Sequence, residues 1–134
     1  MSFREQIIET LQGIVRKRYP ALGNIRFDVY KPPERKLGDF ATNIAMAIAK
    51  ASGGKPMDVA PAIAEEVGSA STIIERVEIK EPGFINFFLS KQAFYEKLQE
   101  IAYYPDTDNY GGCEIGQGRL IQVEFVSANP TGPL

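Results

Sequence analysis

The spacing of apolar residues along the chain predicts helices and strands in turn. Apolar positions recur at helical spacing from Phe3 to Val15, behind a Ser2–Glu5 capping box, so the first segment is predicted as an amphipathic helix ending near Pro20. The segment IRFDVYK then alternates apolar and charged residues, which is typical of a strand with one buried face.

The middle of the chain has the pattern of two helices. In GDFATNIAMAIAK, Asp39 is a suitable N-cap and the apolar residues after it keep helical spacing as far as Gly53. A further helix is predicted to run to Val67. Because Pro61 fits best in a first turn, we place the cap of that helix at Asp58.

The next segments predict a β-hairpin and a last helix. IIERVEIK alternates strictly, a turn follows at 81–83, and FINFFLS resumes as a strand. Ser90 can cap a helix carrying Phe94, Leu98 and Ile101. The order of elements indicates an α+β fold, a small antiparallel sheet covered by helices. The Gly- and Asp-rich stretch after this helix reads as an interdomain linker and RLIQVEFVS as a strand of a second domain, so we expect domains at 1–110 and 111–134.

Composition narrows the possible functions. The 134 residues are 44% hydrophobic and 24% charged, with no apolar run long enough to cross a bilayer, so we expect a soluble, cytoplasmic protein without a membrane partner. The single cysteine, Cys113, excludes an internal disulfide, and the absence of histidine excludes a Ser-His or Cys-His hydrolase. We therefore expect no catalytic residue and no metal site in this chain. A net charge of -2 means that any RNA contact must be local.

Two interpretations compete for the strand FINFFLS. Its period of two puts Phe84, Asn86 and Phe88 on one face and the other apolar residues on the opposite face. An aromatic ring two residues from an amide can stack on an unpaired base and bond to its edge. Alternatively, Phe84 and Phe88 pack under a helix while Asn86 bonds to the turn backbone. Spacing alone favours packing, because aromatic residues in strands mostly belong to the core.

The carboxylate of Glu124 has two interpretations as well. The apolar residues Val123 and Phe125 flank Glu124, so its side chain lies on the side of the predicted strand opposite to theirs. Such a residue commonly faces solvent. With Ser127 and Asn129 close behind it, Glu124 could instead hold a cationic ligand, and a guanidinium fits a carboxylate through paired hydrogen bonds. The following NPTGP segment has the composition of an ordinary turn.

Three motifs taken together resemble arginyl-tRNA synthetase of the bacterial type. VEFVSANPTGPL resembles the stretch that runs into the class I adenylate signature of that family. KLGDFATNIAMAIAK and EPGFINFFLS resemble, in order and spacing, its N-terminal additional domain. The similarity spans nearly the whole chain.

The resemblance implies a domain over about residues 1–110 that contacts the elbow of the L-shaped tRNA and reads a nucleotide of the D-loop. Phe84 and Asn86 match the aromatic and amide residues that make this contact in the family, and Glu81 matches a third, more variable contact. The resemblance therefore reverses the preference for packing at these two positions.

The resemblance also implies roles for residues near the end of the chain. Glu124 matches the carboxylate that holds the substrate guanidinium, while Ser127 and Asn129 match contacts to the amino acid. The family forms arginyl-adenylate from arginine and ATP, with magnesium, and transfers arginine to its tRNA. The expected partners are arginine tRNA, arginine and ATP, and a monomer is expected.

The family's histidine-bearing signature would begin after Leu134, so we expect 111–134 to be the start of a Rossmann-like catalytic domain and the fragment alone to be inactive. Two alternatives remain at this point. One is a free-standing RNA-binding module, which would have no evident reason to keep the VEFVSANPTGPL tail. The other is a protein-interaction domain without an RNA role.

Overall fold

The computed structural model describes residues 1–105 and 110–124. Short 3-10 helices at Pro20–Leu22 and Arg35–Leu37 accompany the main elements. In chain order the main elements are α1 (Phe3–Arg18), β1 (Val29–Tyr30), β2 (Phe40–Thr42), α2 (Ile44–Ser52), α3 (Pro56–Ala70), β3 (Ile74–Lys80), β4 (Phe84–Leu89) and α4 (Lys91–Ala102).

The strands form one antiparallel sheet in the order β1-β2-β4-β3. The hairpin β3–β4 places Lys80 opposite Phe84, and the short strand β2 pairs with the other side of β4. With its helices, this sheet confirms the predicted α+β fold.

The hydrophobic core lies between the sheet and α1, α2 and α3. Ile85 and Phe87 of β4 are completely buried and belong to the same cluster as the buried residues of these three helices. The side chains that alternate with them on β4 do not belong to that cluster. One face of the sheet is therefore covered by helices. The helix residues of the cluster include Ile7, Leu11, Ile44, Ile48, Ile63 and Val67.

The first helix forms as predicted. The Ser2 hydroxyl accepts a hydrogen bond from the backbone N–H of Glu5, and the Glu5 carboxylate accepts one from the backbone N–H of Ser2. The second bond holds the pKa of Glu5 below its usual value.

The predicted helix start at Asp39 is wrong, because Phe40–Thr42 is strand β2. Asp39 ties β2 to β4 through both its backbone and its side chain. Its backbone N–H donates to the Phe87 carbonyl at 2.9 Å, and its carboxylate accepts from the Leu89 N–H at 2.8 Å. Tertiary pairing thus overrides the helical spacing of the segment, and α2 begins only at Ile44.

Two other predicted boundaries differ. Helix α3 begins at Pro56 rather than after Asp58, with Pro61 inside it. Pro56 occupies the first helical position, where a proline is favoured, and the exposed Pro61 ring has solvent around it. Strand β1 covers only Val29–Tyr30 of the predicted IRFDVYK strand, because β2, its sole neighbour in the described sheet, has only three residues.

Helix α4 is capped by Ser90 as predicted, the hydroxyl accepting from the Ala93 N–H at 3.1 Å. Its apolar stripe is largely exposed, with Phe94 43% and Leu98 60% accessible.

Beyond α4, residues 110–124 contain no helix or strand and are mostly exposed. The strand predicted over RLIQVEFVS does not form at 119–124, where these residues pair with no strand of the described sheet. The rest of that segment lies outside the described residues. The boundary between domains at 110 and 111 stays a prediction.

Candidate nucleic-acid interface

The sheet face opposite the helices collects side chains from all four strands. The strand register aligns Tyr30, Ala41, Asn86 and Glu78 in one row across the sheet, with Phe84 beside Lys80 and Phe88 beside Arg76 in the flanking rows. We call this surface the open sheet face and define it by these eight residues: Tyr30, Ala41, Arg76, Glu78, Lys80, Phe84, Asn86 and Phe88.

Asn86 lies at the centre of the open sheet face. It is 3% exposed, between Ala41 on β2 and Glu78 on β3. Within the described part of the chain, no hydrogen bond to the Asn86 side-chain amide is found. Every completely buried side-chain nitrogen or oxygen atom there does have a hydrogen-bond partner, so the Asn86 amide atoms are not completely buried. The Asn86 amide atoms are therefore almost but not completely covered, and their donor and acceptor groups are not used within the described chain.

Phe84 neighbours Asn86 on the same face of β4, two residues or about 7 Å away along the strand. Both Phe84 and Phe88 are half-buried and lie outside the hydrophobic cluster under the helices. The interpretation that these rings pack under a helix is therefore wrong: both rings are partly exposed, and the Arg76 guanidinium lies over one face of Phe88.

Glu81 lies exposed in the turn that leads into Phe84. The turn is fixed by a hydrogen bond from the Gly83 N–H to the Lys80 carbonyl at 2.9 Å and by close packing on α3. A Cβ atom on Gly83, whose φ is +150°, would lie 2.5 Å from the Pro56 Cβ. Glycine therefore holds the hairpin turn against the start of α3 and gives Glu81 a defined position relative to Phe84.

Strand β3 contributes alternating charge to the open sheet face. Glu78 pairs with the Arg76 guanidinium, and the Lys80 ammonium lies 3.9 Å from its other carboxylate oxygen. The Arg76 guanidinium carbon lies 3.7 Å from the centre of the Phe88 ring. The alternation in ERVEIK indicates that these three residues share a face, but only the strand register assigns each to a neighbour on β4.

The residues predicted to bind arginine are not brought together within the described chain. Glu124 is exposed in the irregular segment 110–124, and Ser127 and Asn129 lie outside the described residues. Their arrangement stays a prediction.

Two other kinds of site are absent from residues 1–105 and 110–124. These residues include no group of three or more His, Cys, Asp or Glu side chains that could hold a metal ion. None of the described helices is long and apolar enough to span a membrane.

Comparison with known proteins agrees with this architecture, an α+β domain whose sheet has one face covered by helices and one face open. A family model described as "Arginyl tRNA synthetase N terminal domain" matches residues 1–89. The chain therefore belongs to the family of arginyl-tRNA synthetase N-terminal domains.

Individual relatives extend the similarity beyond that domain. Arginine–tRNA ligase of Acetivibrio thermocellus is 48% identical over 103 residues, 77% of this chain and 18% of that protein. The ligase of Syntrophotalea carbinolica is 40% identical over 132 residues, 98% of this chain and 24% of that protein. The chain thus spans about a fifth of the length of these relatives.

The crystal structure of arginyl-tRNA synthetase from Plasmodium falciparum shares the fold. Its TM-score is 0.64 at 22% identity, over 73% of this chain and 18% of that one.

Proposed function

We propose that this chain is the tRNA-binding N-terminal part of an arginine–tRNA ligase, a class I aminoacyl-tRNA synthetase of the cytoplasm. The ligase forms arginyl-adenylate from arginine and ATP with magnesium, and transfers arginine to its tRNA. Membership of the family supports this assignment. The observation that carries it is the pairing of Phe84 and Asn86 on the open sheet face.

In this proposal the open sheet face binds the elbow of the tRNA, where D-loop bases are unpaired. The Phe84 ring stacks on one base, and the Asn86 amide, which can both donate and accept, bonds to the edge of that base. Glu81 adds an acceptor from the turn. Because β4 is bonded to strands on both sides and packed on the core below, these groups are held in place before the RNA binds.

Tight binding by this surface does not need a strongly basic protein. The chain has a net charge of -2, so bulk attraction to phosphates is weak, and base stacking with edge recognition supplies the affinity. This mode of binding is selective for unpaired nucleotides over duplex RNA.

The test is a filter-binding titration of the 134-residue chain with an arginine tRNA transcript. Asn86→Ala should raise Kd about tenfold, because a base edge loses its hydrogen-bond partner in a desolvated site. Asn24→Ala, at an exposed asparagine beside α1, is the matched control and should bind like the wild type. Equal Kd values for all three proteins would refute the assignment.

We also propose that Glu124, Ser127 and Asn129 bind the arginine substrate in the full-length ligase, with the Glu124 carboxylate holding the guanidinium through paired hydrogen bonds. Glu124→Gln keeps the shape of the side chain and removes its charge. In the full-length ligase this change should raise KM for arginine about tenfold or more and leave KM for tRNA nearly unchanged. Unchanged arginine kinetics would contradict the role.

A further inference from the structure

We propose that Arg76 and Phe88 form a second nucleotide-binding position on the open sheet face, where another unpaired base of the same RNA loop stacks on the outer side of the Arg76 guanidinium. The inference rests on the proposed function and extends it from one base to two.

The Arg76–Phe88 pair already has the geometry of a stacking platform. The two residues are cross-strand partners on β3 and β4, and the guanidinium carbon lies 3.7 Å from the ring centre. A guanidinium is planar and attracted to the face of an aromatic ring, so Phe88 occupies one of its sides. The Arg76 side chain is 56% exposed, and its other side is open to a base.

Glu78 fixes the platform without blocking it. Its carboxylate contacts the Nη1 nitrogen of Arg76. Because guanidinium N–H groups lie in the plane of the group, such a partner leaves the flat outer side to a base. A guanidinium has five N–H donors, so those not directed at Glu78 remain for a base edge or a phosphate. The ordered side chain loses less conformational entropy on binding than a free surface arginine would.

The distance between the two positions suits two separate bases of one loop. Phe84 and Phe88 are four residues apart on the same side of β4, a separation of about 13 Å. Stacked neighbours in a strand are only ~3.4 Å apart. The two positions therefore hold bases that are splayed away from each other, with Asn86 between them.

Positive charge accompanies the second position. The segment between β1 and β2 lies at the same end of the sheet as Phe88, because Gly38 packs against the Phe87 backbone. Residues 31–39 contain the basic residues Lys31, Arg35 and Lys36 against Glu34 and Asp39, an excess of one positive charge. Lys36 pairs with Glu34 at 2.7 Å, which leaves Lys31 and Arg35 as the exposed basic residues outside this pair. Local charge of this sign attracts the phosphates next to a bound base.

The decisive variant is Arg76→Lys, which keeps the charge and loses the planar stacking surface. In filter binding with the arginine tRNA transcript it should raise Kd about tenfold while the dependence of Kd on salt stays unchanged. Phe88→Leu, which keeps an apolar side chain, should weaken binding similarly. Arg16→Lys, at an exposed position on α1, is the control and should have no effect. Arg76→Lys binding as tightly as the wild type would overturn the proposal.

Transcripts carrying 2-aminopurine at single D-loop positions separate the two contacts. The wild type should change the fluorescence at two positions that are not adjacent. Arg76→Lys should abolish one of these changes, and Asn86→Ala the other. If Asn86→Ala weakens binding but Arg76→Lys alters neither Kd nor fluorescence, only the second position is wrong. If the wild-type chain does not bind the transcript at all, both proposals are wrong.

Discussion

Polar residues of the segment GDFATN form hydrogen bonds that hold the sheet together. The Thr42 hydroxyl donates to the Asp28 carbonyl at 2.7 Å, and the Asn43 side-chain oxygen accepts from the Asp28 N–H at 2.8 Å. Asp39 makes the corresponding tie to β4 through the Leu89 N–H. The backbone groups that these side chains satisfy would otherwise lack partners at the ends of very short strands.

Gly38 is the residue of this segment that tolerates a side chain least. Its φ is +103°, and a Cβ atom would lie 2.7 Å from the Phe87 carbonyl oxygen. Gly38→Ala should therefore lower the free energy of unfolding by about 2–3 kcal/mol. Urea denaturation followed by circular dichroism measures the change.

Gly13 provides the control for this prediction. It lies inside α1, where an added Cβ atom would have no neighbour within 4 Å, and its φ is not in the left-handed region. Gly13→Ala should raise the free energy of unfolding by about 0.5–1 kcal/mol, because alanine favours a helix more than glycine does. Shifts of the same sign in both variants would contradict the account of Gly38.

At the scale of elements, the sequence predicts best where local signals act alone. The capping box of α1 and the Ser90 cap of α4 both form, and the alternation of ERVEIK and FINFFL yields the hairpin of β3 and β4. Each of these signals needs only residues that are close in the chain.

The predicted secondary structure is wrong where a strand depends on pairing with residues that are distant in the chain. Phe40–Thr42 has helical spacing with the residues after it, yet pairing with β4 makes it a strand. Strand β2, the neighbour of β1 in the sheet, has only three residues, so β1 covers only two residues of IRFDVYK. The lengths of β1 and β2 cannot be deduced from periodicity. The pairing of β2 depends on the residues of β4, which lie far away in the chain.

The candidate site likewise has some features that the local sequence predicts and others that depend on a distant strand. The period of two identifies Phe84, Asn86 and Phe88 as one face of a strand, and the structure places that face away from the helices. The contact between Arg76 and Phe88 depends on the hairpin register, which includes a bulge between Ile74 and Arg76. Sequence alternation gives the face of a residue but not its cross-strand neighbour.

Across the whole molecule, the two sides of the sheet differ in what packs against them. The helices α1, α2 and α3 stabilise the sheet from one side, with Ile85 and Phe87 in the core. The other side, the open sheet face, lies outside that core and is the surface that we propose binds RNA. Substitutions on the open sheet face can therefore change binding without opening the core, which makes the binding variants interpretable.

The chain spans about a fifth of the length of its ligase relatives, and the similarity to the ligase of Syntrophotalea carbinolica covers 98% of the chain, including its tail. A domain that binds the tRNA elbow would act in the ligase by orienting the tRNA, whereas Glu124 in the tail is the residue that we propose binds arginine. Variants of the open sheet face should then affect the use of tRNA, and variants of Glu124 the use of arginine.

Binding of the tRNA elbow by the open sheet face can be tested by chemical probing of the bases of an arginine tRNA transcript, with and without the 134-residue chain. We expect the wild type to protect unpaired D-loop bases, Asn86→Ala to lose that protection, and the Asn24→Ala control to protect them fully. Protection confined to the anticodon or acceptor arm, or D-loop protection that survives Asn86→Ala unchanged, would contradict the claim that the open sheet face reads the tRNA elbow.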